Sequence, residues 1–315
     1  MKKRAHRKPS RPKHLKLSLP ATSANLGPAF DAAALALDLY LRIHAQSADE
    51  FSVLTSGRDA ENCNRVENNL IFTTYREVLR SEGKAIHPLA LKIENEIPIG
   101  KGCGSSAAAR LAGIALAVHF GRLHWNDARI VGEASRREQH ADNAAACWMG
   151  GLAVARMSNN CEASIASIAP QGKWPLLLAV PDEALPTEQA RRVLPAQYSR
   201  ADAVSNVQNS MLLLSAFVQG RSGLLALALE DHLHQPFRAH ACPLLPALQK
   251  IRNSGILGVA LSGAGPSVLI FLDPKANANR ATQQLRSHLI GERLTAELIS
   301  TNITQRGGRS LFGKA

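Results

Sequence analysis

Alternating and helical apolar spacings take turns along this chain. Leu15, Leu17 and Leu19 alternate with polar residues up to Pro20, which predicts a short strand. Residues 20–31, PATSANLGPAFD, are rich in Ser, Asn, Gly and Pro and predict a loop. Period-2 spacing over at least Leu37–Ile43 predicts a strand. Ile71, Tyr75, Val78 and Leu79 stand at helical spacing with Gly83 beyond them, and predict a helix. LALKIENEIP alternates into Pro98 as a strand. A glycine-rich stretch, PIGKGCGSSAA, then opens an apolar helix from Ser105 to Phe120, with Gly121 as its stop. A polar-faced helix follows, N-capped by Asn126, and GGLAVARM forms a strand.

A different order begins near residue 170. WPLLLAV is a buried strand, and helices occupy roughly 200–253. LGVALSG and PSVLIFL are strands joined by a tight glycine turn, followed by a helix over 276–291 and a closing strand, TAELIST. Strand, helices, strand, strand, helix, strand is the split β-α-β, ferredoxin-like plan. The fold class is therefore α+β. The expected organisation is a basic tail (1–14), an N-terminal α/β domain (15–169) and a C-terminal ferredoxin-like domain (170–315). A length of 315 residues agrees with two domains at about 150 residues each.

Composition narrows the class. Hydrophobic residues make up 45% of the chain, enough for a sizeable core. No apolar run is long enough to span a membrane, and no signal-peptide core follows the first residues, so a soluble cytoplasmic protein is expected. The net charge is +12, but residues 1–16 carry eight Lys or Arg and no acid. The body is thus mildly basic, without the spread of charge a nucleic-acid groove needs. The tail reads as a solvated arm, the alternative being a weak contact with RNA. Cys63, Cys103, Cys147, Cys161 and Cys242 show no framework spacing and fit free thiols. His232, His234, His240 and Cys242 lie close in sequence, but not at a zinc-finger spacing.

The glycine stretch carries the first chemistry. Gly100, Gly102 and Gly104 alternate, and Ser105 and Ser106 open the helix. Bare amides at the positive end of a helix make an anion site. The stretch has neither the Gly-Lys-Ser/Thr of a Walker A loop nor a GxGxxG fingerprint. The other reading is a flexible turn with a capping serine.

Three segments in order, PATSANLGPAFD, PIGKGCGSSAA and LSGAGPSVLIF, resemble the motifs of the GHMP kinase superfamily, and the resemblance spans almost the whole chain after the tail. Within it, QHADNAAACWMGGL, PTEQARRVLP and LHQPFR are similar to segments of the homoserine kinases. The resemblance implies a two-domain GHMP kinase fold and an ATP-dependent, magnesium-requiring kinase acting on L-homoserine in threonine biosynthesis. A homodimer is a further implication. The alternatives are another acceptor, such as mevalonate, or a non-catalytic regulator of the same fold.

The same resemblance distributes the roles. Pro98, Gly100, Lys101, Gly102, Gly104, Ser105, Ser106 and Ala107 cradle ATP, with Gly263 and Gly265 letting a hairpin turn approach. Asn69 either reaches the adenine or caps its helix. Magnesium is held by Ser106 and by Glu133, with Glu138 as the alternative. Asp142 and Asn143 face the acceptor hydroxyl, Asp142 either taking its proton or orienting it. Asn25 and Asp31 grip the ammonium or hydroxyl end, unless they serve as local turn and cap residues. Arg191 and Arg238 bind the carboxylate, Arg238 at the reaction end, and Thr187 hydrogen-bonds near the acceptor or caps a helix. Cys103 stands where the family has Leu and is a packing residue. Ala29 and Ala34 replace family glycines, which predicts strain if those positions need positive φ.

Overall fold

The computed structural model describes residues 14–158, 162–251, 255–310 and 312. The expected tail, apart from His14, and Cys161 lie outside the described residues.

The N-terminal sheet is built on one long hairpin. β1 (His14–Asn25) and β2 (Ala29–Ser47) pair antiparallel along nearly their whole lengths. β2 also pairs with β4 (Leu89–Asn95) through residues 41–47 and with β5 (Leu152–Met157) through residues 33–35. β3 (Ser52–Gly57) runs parallel to β4, and β6 (Ala163–Ile168) flanks β5. Of the helices, α1 (Ala60–Cys63) is one short turn. α2 (Leu70–Ser81), α3 (Ser105–Gly121), α4 (Asp127–Glu138) and α5 (Asp142–Met149) cover one face of the sheet and share its core. α3 is buried almost all round and is alanine-rich, so neighbours come close. At Gly113 an added Cβ would lie 2.5 Å from the Ile71 carbonyl oxygen of α2.

The C-terminal sheet has the order β10-β7-β9-β8, all antiparallel: β7 (Pro175–Val180), β8 (Ile256–Leu261), β9 (Val268–Leu272) and β10 (Glu297–Asn302). That is the ferredoxin-like order. Between β7 and β8 lie α6 (Thr187–Arg192), α7 (Arg200–Gln219), α8 (Leu225–Ala228), α9 (Gln235–Arg238) and α10 (Leu244–Gln249). α11 (Ala278–Gly291) packs Ala281, Leu285 and Leu289 into the same sheet's core. The main core runs on from the first sheet to Trp174, Leu213 and Phe217, so the two sheets are joined by packed apolar surface.

Local readings of the sequence are corrected or extended. Residues 20–31 are mostly strand, with the turn confined to Leu26–Pro28; the Thr22 and Asn25 side chains find tertiary partners instead of water. β2 extends far beyond Leu37–Ile43 because it has a partner on each side. β3 and β6, at the rims of the sheet and half exposed, carry no clear apolar alternation. α3 ends at Gly121 itself, with Arg122 taking the left-handed cap at φ 53°. Ala29 and Ala34 sit in extended strand positions, so no strain arises there; the left-handed residues nearby are Asn25, Leu26, Gly27 and Asp31.

Candidate active site

Seven segments converge on one cavity: the β1–β2 turn, the glycine loop, the end of α4, the start of α5, α6, α9 and the β8–β9 turn. Asn25, Asp31, Gly100, Gly102, Gly104, Ser105, Ser106, Ala107, Glu138, His140, Asp142, Asn143, Thr187, Arg191, Arg238 and Gly263 line it.

The glycine loop closes it on one side. Gly100, Gly102 and Gly104 have φ between 70° and 77°, a region that costs a residue with a Cβ. Gly102 has no room either: a Cβ would lie 2.2 Å from the Ser262 carbonyl oxygen in the β8–β9 turn. Gly104 is the N-cap of α3 and supplies no side-chain cap. No side chain at the N-cap position therefore covers the first-turn amides of α3, which face the cavity side lined by Ser105, Ser106 and Ala107. The Lys101 side chain turns to the Pro181 and Asp182 carbonyls, and Lys101, Pro98 and Gly265 do not line the cavity. Gly265 instead packs against Cys242. Cys103 is buried, with its thiol pushed up to about 12 by burial, as a packing residue would be.

Beside the loop lies an apolar pocket formed by Leu41, Leu70, Ile71, Ile93, Ile97, Ile99 and Ala109, with Asn69 on its wall. It shares Gly100, Ser105 and Ser106 with the first cavity, so a flat apolar group there would point its tail at the amides of α3. Asn69 caps α2: its Oδ1 accepts from Ile71 N at 3.0 Å, and its Nδ2 donates to the Cys63 carbonyl.

The carboxylate next to Ser106 is Glu138. Ser106 Oγ donates to Glu138 Oε1 at 2.6 Å, and Arg110 also contacts that oxygen. Glu133 lies outside the cavity, one and a half turns back on α4, where Arg136 and Arg137 each pair with it at 2.9 Å. Burial raises the Glu133 pKa, but the two guanidiniums outweigh it and hold the carboxyl below its ordinary value. Of the two glutamates, Glu138 lines the cavity beside Ser106, and Glu133 lies outside it.

Asp142 is 1% exposed at the first position of α5. Its Oδ1 accepts from Asn143 N at 2.6 Å and lies 2.8 Å from His140 Nδ1. These bonds converge on one oxygen and aim the carboxylate. Across the cavity, Arg191 Nη1 and Nη2 donate to the two oxygens of Asp31 at 3.0 and 2.6 Å, and this pairing raises the Arg191 pKa. Arg238 is 1% exposed; its Nε donates to the Ala190 carbonyl, and no carboxylate among the described residues pairs with it. Burial, reinforced by Arg191, pulls its pKa down. The Phe30 ring lies 5.7 Å from the Arg191 guanidinium and 5.4 Å from that of Arg238, offering both cations a π face. Asn25 is consumed as a staple: Nδ2 donates to Gly263 O at 2.7 Å and Oδ1 accepts from Asp31 N. Thr187 begins α6 but does not cap it; Pro186 holds the cap position.

His234 was legible only as a member of the His/Cys group. It is fully buried, stacks on Phe30, donates from Nε2 to the Gly27 carbonyl, and accepts at Nδ1 from Arg238 at 3.1 Å. Burial, partly opposed by Asp231, holds its pKa well below the ordinary 6.5. The unfolded chain then binds a proton that the folded chain refuses, so stability falls as pH drops below 6.5. Urea unfolding across that range is expected to show a steeper pH loss in the wild type than in His234→Gln. Parallel curves would show that His234 carries no such penalty.

The two sheets thus enclose a glycine loop at a helix N-terminus, a neighbouring apolar pocket and carboxylates set against two guanidiniums. The family model for the GHMP kinases N terminal domain matches residues 69–151, and that for GHMP kinases C terminal matches residues 213–291. A homoserine kinase of Solibacter usitatus is 43% identical over 82% of this chain and 84% of its own length, and one from Deinococcus radiodurans is 36% identical over 85% and 87%. The crystal structure of a homoserine kinase from Cytophaga hutchinsonii superposes with a TM-score of 0.79 at 22% identity, covering 96% of this chain and 99% of that one. The chain belongs to the homoserine kinase family of the GHMP kinases.

Proposed function

We propose that the protein transfers the γ-phosphoryl group of ATP to the side-chain hydroxyl of L-homoserine, giving ADP and O-phospho-L-homoserine. The observation that carries this is the arrangement around the acceptor end. Asp31, bridged to Arg191, supplies a negative charge toward an ammonium, and Arg191 with the buried Arg238, which pairs with no carboxylate among the described residues, supplies guanidiniums toward a carboxylate. An α-amino acid bound there would turn its side chain toward Asp142 and the glycine loop. Mevalonate has the carboxylate but no ammonium to pair with Asp31, so Asp31 favours an amino acid over mevalonate.

Phosphoryl transfer asks the protein for positioning and charge neutralisation. The apolar pocket takes the adenine, and the amides of α3 take the phosphates. Asp142 receives the hydroxyl proton or orients it. Ser106 and Glu138 provide adjacent hard oxygens at the mouth of α3, a donor set that fits magnesium. Bound there, the ion would neutralise phosphate charge. The free thiols of Cys63, Cys103, Cys147 and Cys242 support a reducing, cytoplasmic setting.

The test is ADP release with Mg·ATP and, in parallel, L-homoserine, L-serine, L-threonine and mevalonate. Release dependent on L-homoserine is expected; release with mevalonate alone would overturn the acceptor assignment. Glu138→Gln is expected to raise the Mg²⁺ concentration for half-maximal rate and to lower kcat by about 10²-fold, as loss of a ligand to a catalytic ion does. An unchanged Mg²⁺ titration in Glu138→Gln, with a shifted one in Glu133→Gln, would return the role to Glu133.

A further inference from the structure

Thr22 lies in β1 with no exposed surface, on the seam between the glycine loop and α5. Its backbone N–H donates to the Cys103 carbonyl at 3.0 Å, and its hydroxyl donates to Asn143 Oδ1 at 2.6 Å. The hydroxyl also faces Gly104: a Cβ added there would lie 1.9 Å from Thr22 Oγ1 and 3.3 Å from Asn143 Oδ1. One buried residue thus touches the last glycine before α3 and the neighbour of Asp142.

The two ends of an Asn amide differ in chemistry: one accepts, the other donates twice. With Oδ1 held by Thr22, the Nδ2 end of Asn143 turns toward Asp142, 3.5 Å from its Oδ1. Asn143 lines the cavity between the glycine loop and Asp142. A fixed N–H donor at that place meets charge developing on the transferred group or on the acceptor oxygen. A flipped amide would present a lone pair there and repel it.

We propose that Thr22 is a positioning residue for phosphoryl transfer: its hydroxyl locks the Asn143 amide with the donor end toward the cavity and ties that orientation to the glycine loop. The assignment rests on the phosphotransfer reading above.

The experiment crosses two replacements. Thr22→Val keeps the branched shape and removes the donor; Thr22→Ser keeps the donor and removes a methyl. Thr22→Val is expected to lower kcat about tenfold, the effect of one oriented hydrogen bond, with the KM for ATP changed less than about twofold. Thr22→Ser is expected to stay within about threefold of wild type. The reverse order, Val active and Ser impaired, would mean a packing role and overturn the assignment. In an Asn143→Ala background, Thr22→Val should cost less than about twofold more, because the two act as one unit. A full second tenfold loss there would also overturn it. If Thr22→Val does not fold, Thr22→Ala and Asn143→Ala are compared directly; matching kcat losses support the lock, and a loss in Thr22→Ala alone refutes it. A wild-type protein silent with every acceptor overturns both readings, whereas an active wild type equalled by Thr22→Val overturns only this one.

Discussion

Replacing Asp142 with Asn is expected to lower kcat by about 10²–10⁴-fold while ATP still binds. The replacement is nearly isosteric. Its amide oxygen can keep the place of Oδ1 beside His140 Nδ1 and the Asn143 N–H, so α5 should start as before. What disappears is the negative charge that accepts or aligns the hydroxyl proton. Steady-state rates at saturating substrates, paired with calorimetric ATP binding, separate the two effects. An undiminished rate would remove Asp142 from the chemistry. A fall of only about tenfold would leave it an orienting role, since alignment without proton acceptance is the smaller of the two contributions.

The second large effect is expected at Arg238. Arg238→Met should raise the KM for L-homoserine by about 10²-fold, the loss of a charge-assisted carboxylate contact in a dry site. Stability should change little. Among the described residues the buried guanidinium bonds a carbonyl and a neutral imidazole, faces the Phe30 ring and pairs with no carboxylate, so its desolvation is poorly repaid in the absence of substrate. Met removes that cost but orphans Ala190 O and His234 Nδ1, and the two terms oppose each other. Steady-state kinetics and thermal unfolding on the same preparation make the check. An unchanged KM would mean that Arg191 alone holds the carboxylate; collapse of the fold would mean that Arg238 is structural.

Much of the site was legible because its chemistry is written in short segments. The glycine loop, the HADN stretch and the two arginines each announce a residue type whose cost is hard to explain by packing. The readings that sequence left open share one cause. Glu133 and Glu138 both lie on a helix beside arginines, and only the packing of α4 against α3 and α2 decides which is consumed. Arg137 reaches back to both Glu133 and Glu77, whereas Glu138 meets Ser106 and Arg110. Asn25 could grip a ligand or staple a turn, and the approach of Gly263 commits its amide to the staple. Thr22, Phe30, His140 and His234 carry no periodic signal; they lie inside segments singled out for other residues.

The sequence by itself determined the elements with clean periods, the split β-α-β order of the second half, the anion-binding character of the loop before α3 and the inventory of charged groups. These are local properties, set by alternation, helical spacing and the bare backbone of glycine. The tertiary structure decided the rest. It made strand of the Ser/Asn/Gly/Pro stretch at 20–31 by pairing it with β2 and giving Thr22, Asn25 and Pro28 partners from 100 or more residues away. It put Glu138 rather than Glu133 beside Ser106 and left Arg238 without a paired carboxylate among the described residues. Which polar group meets which depends on contacts between distant segments, and a one-dimensional pattern holds no record of those distances.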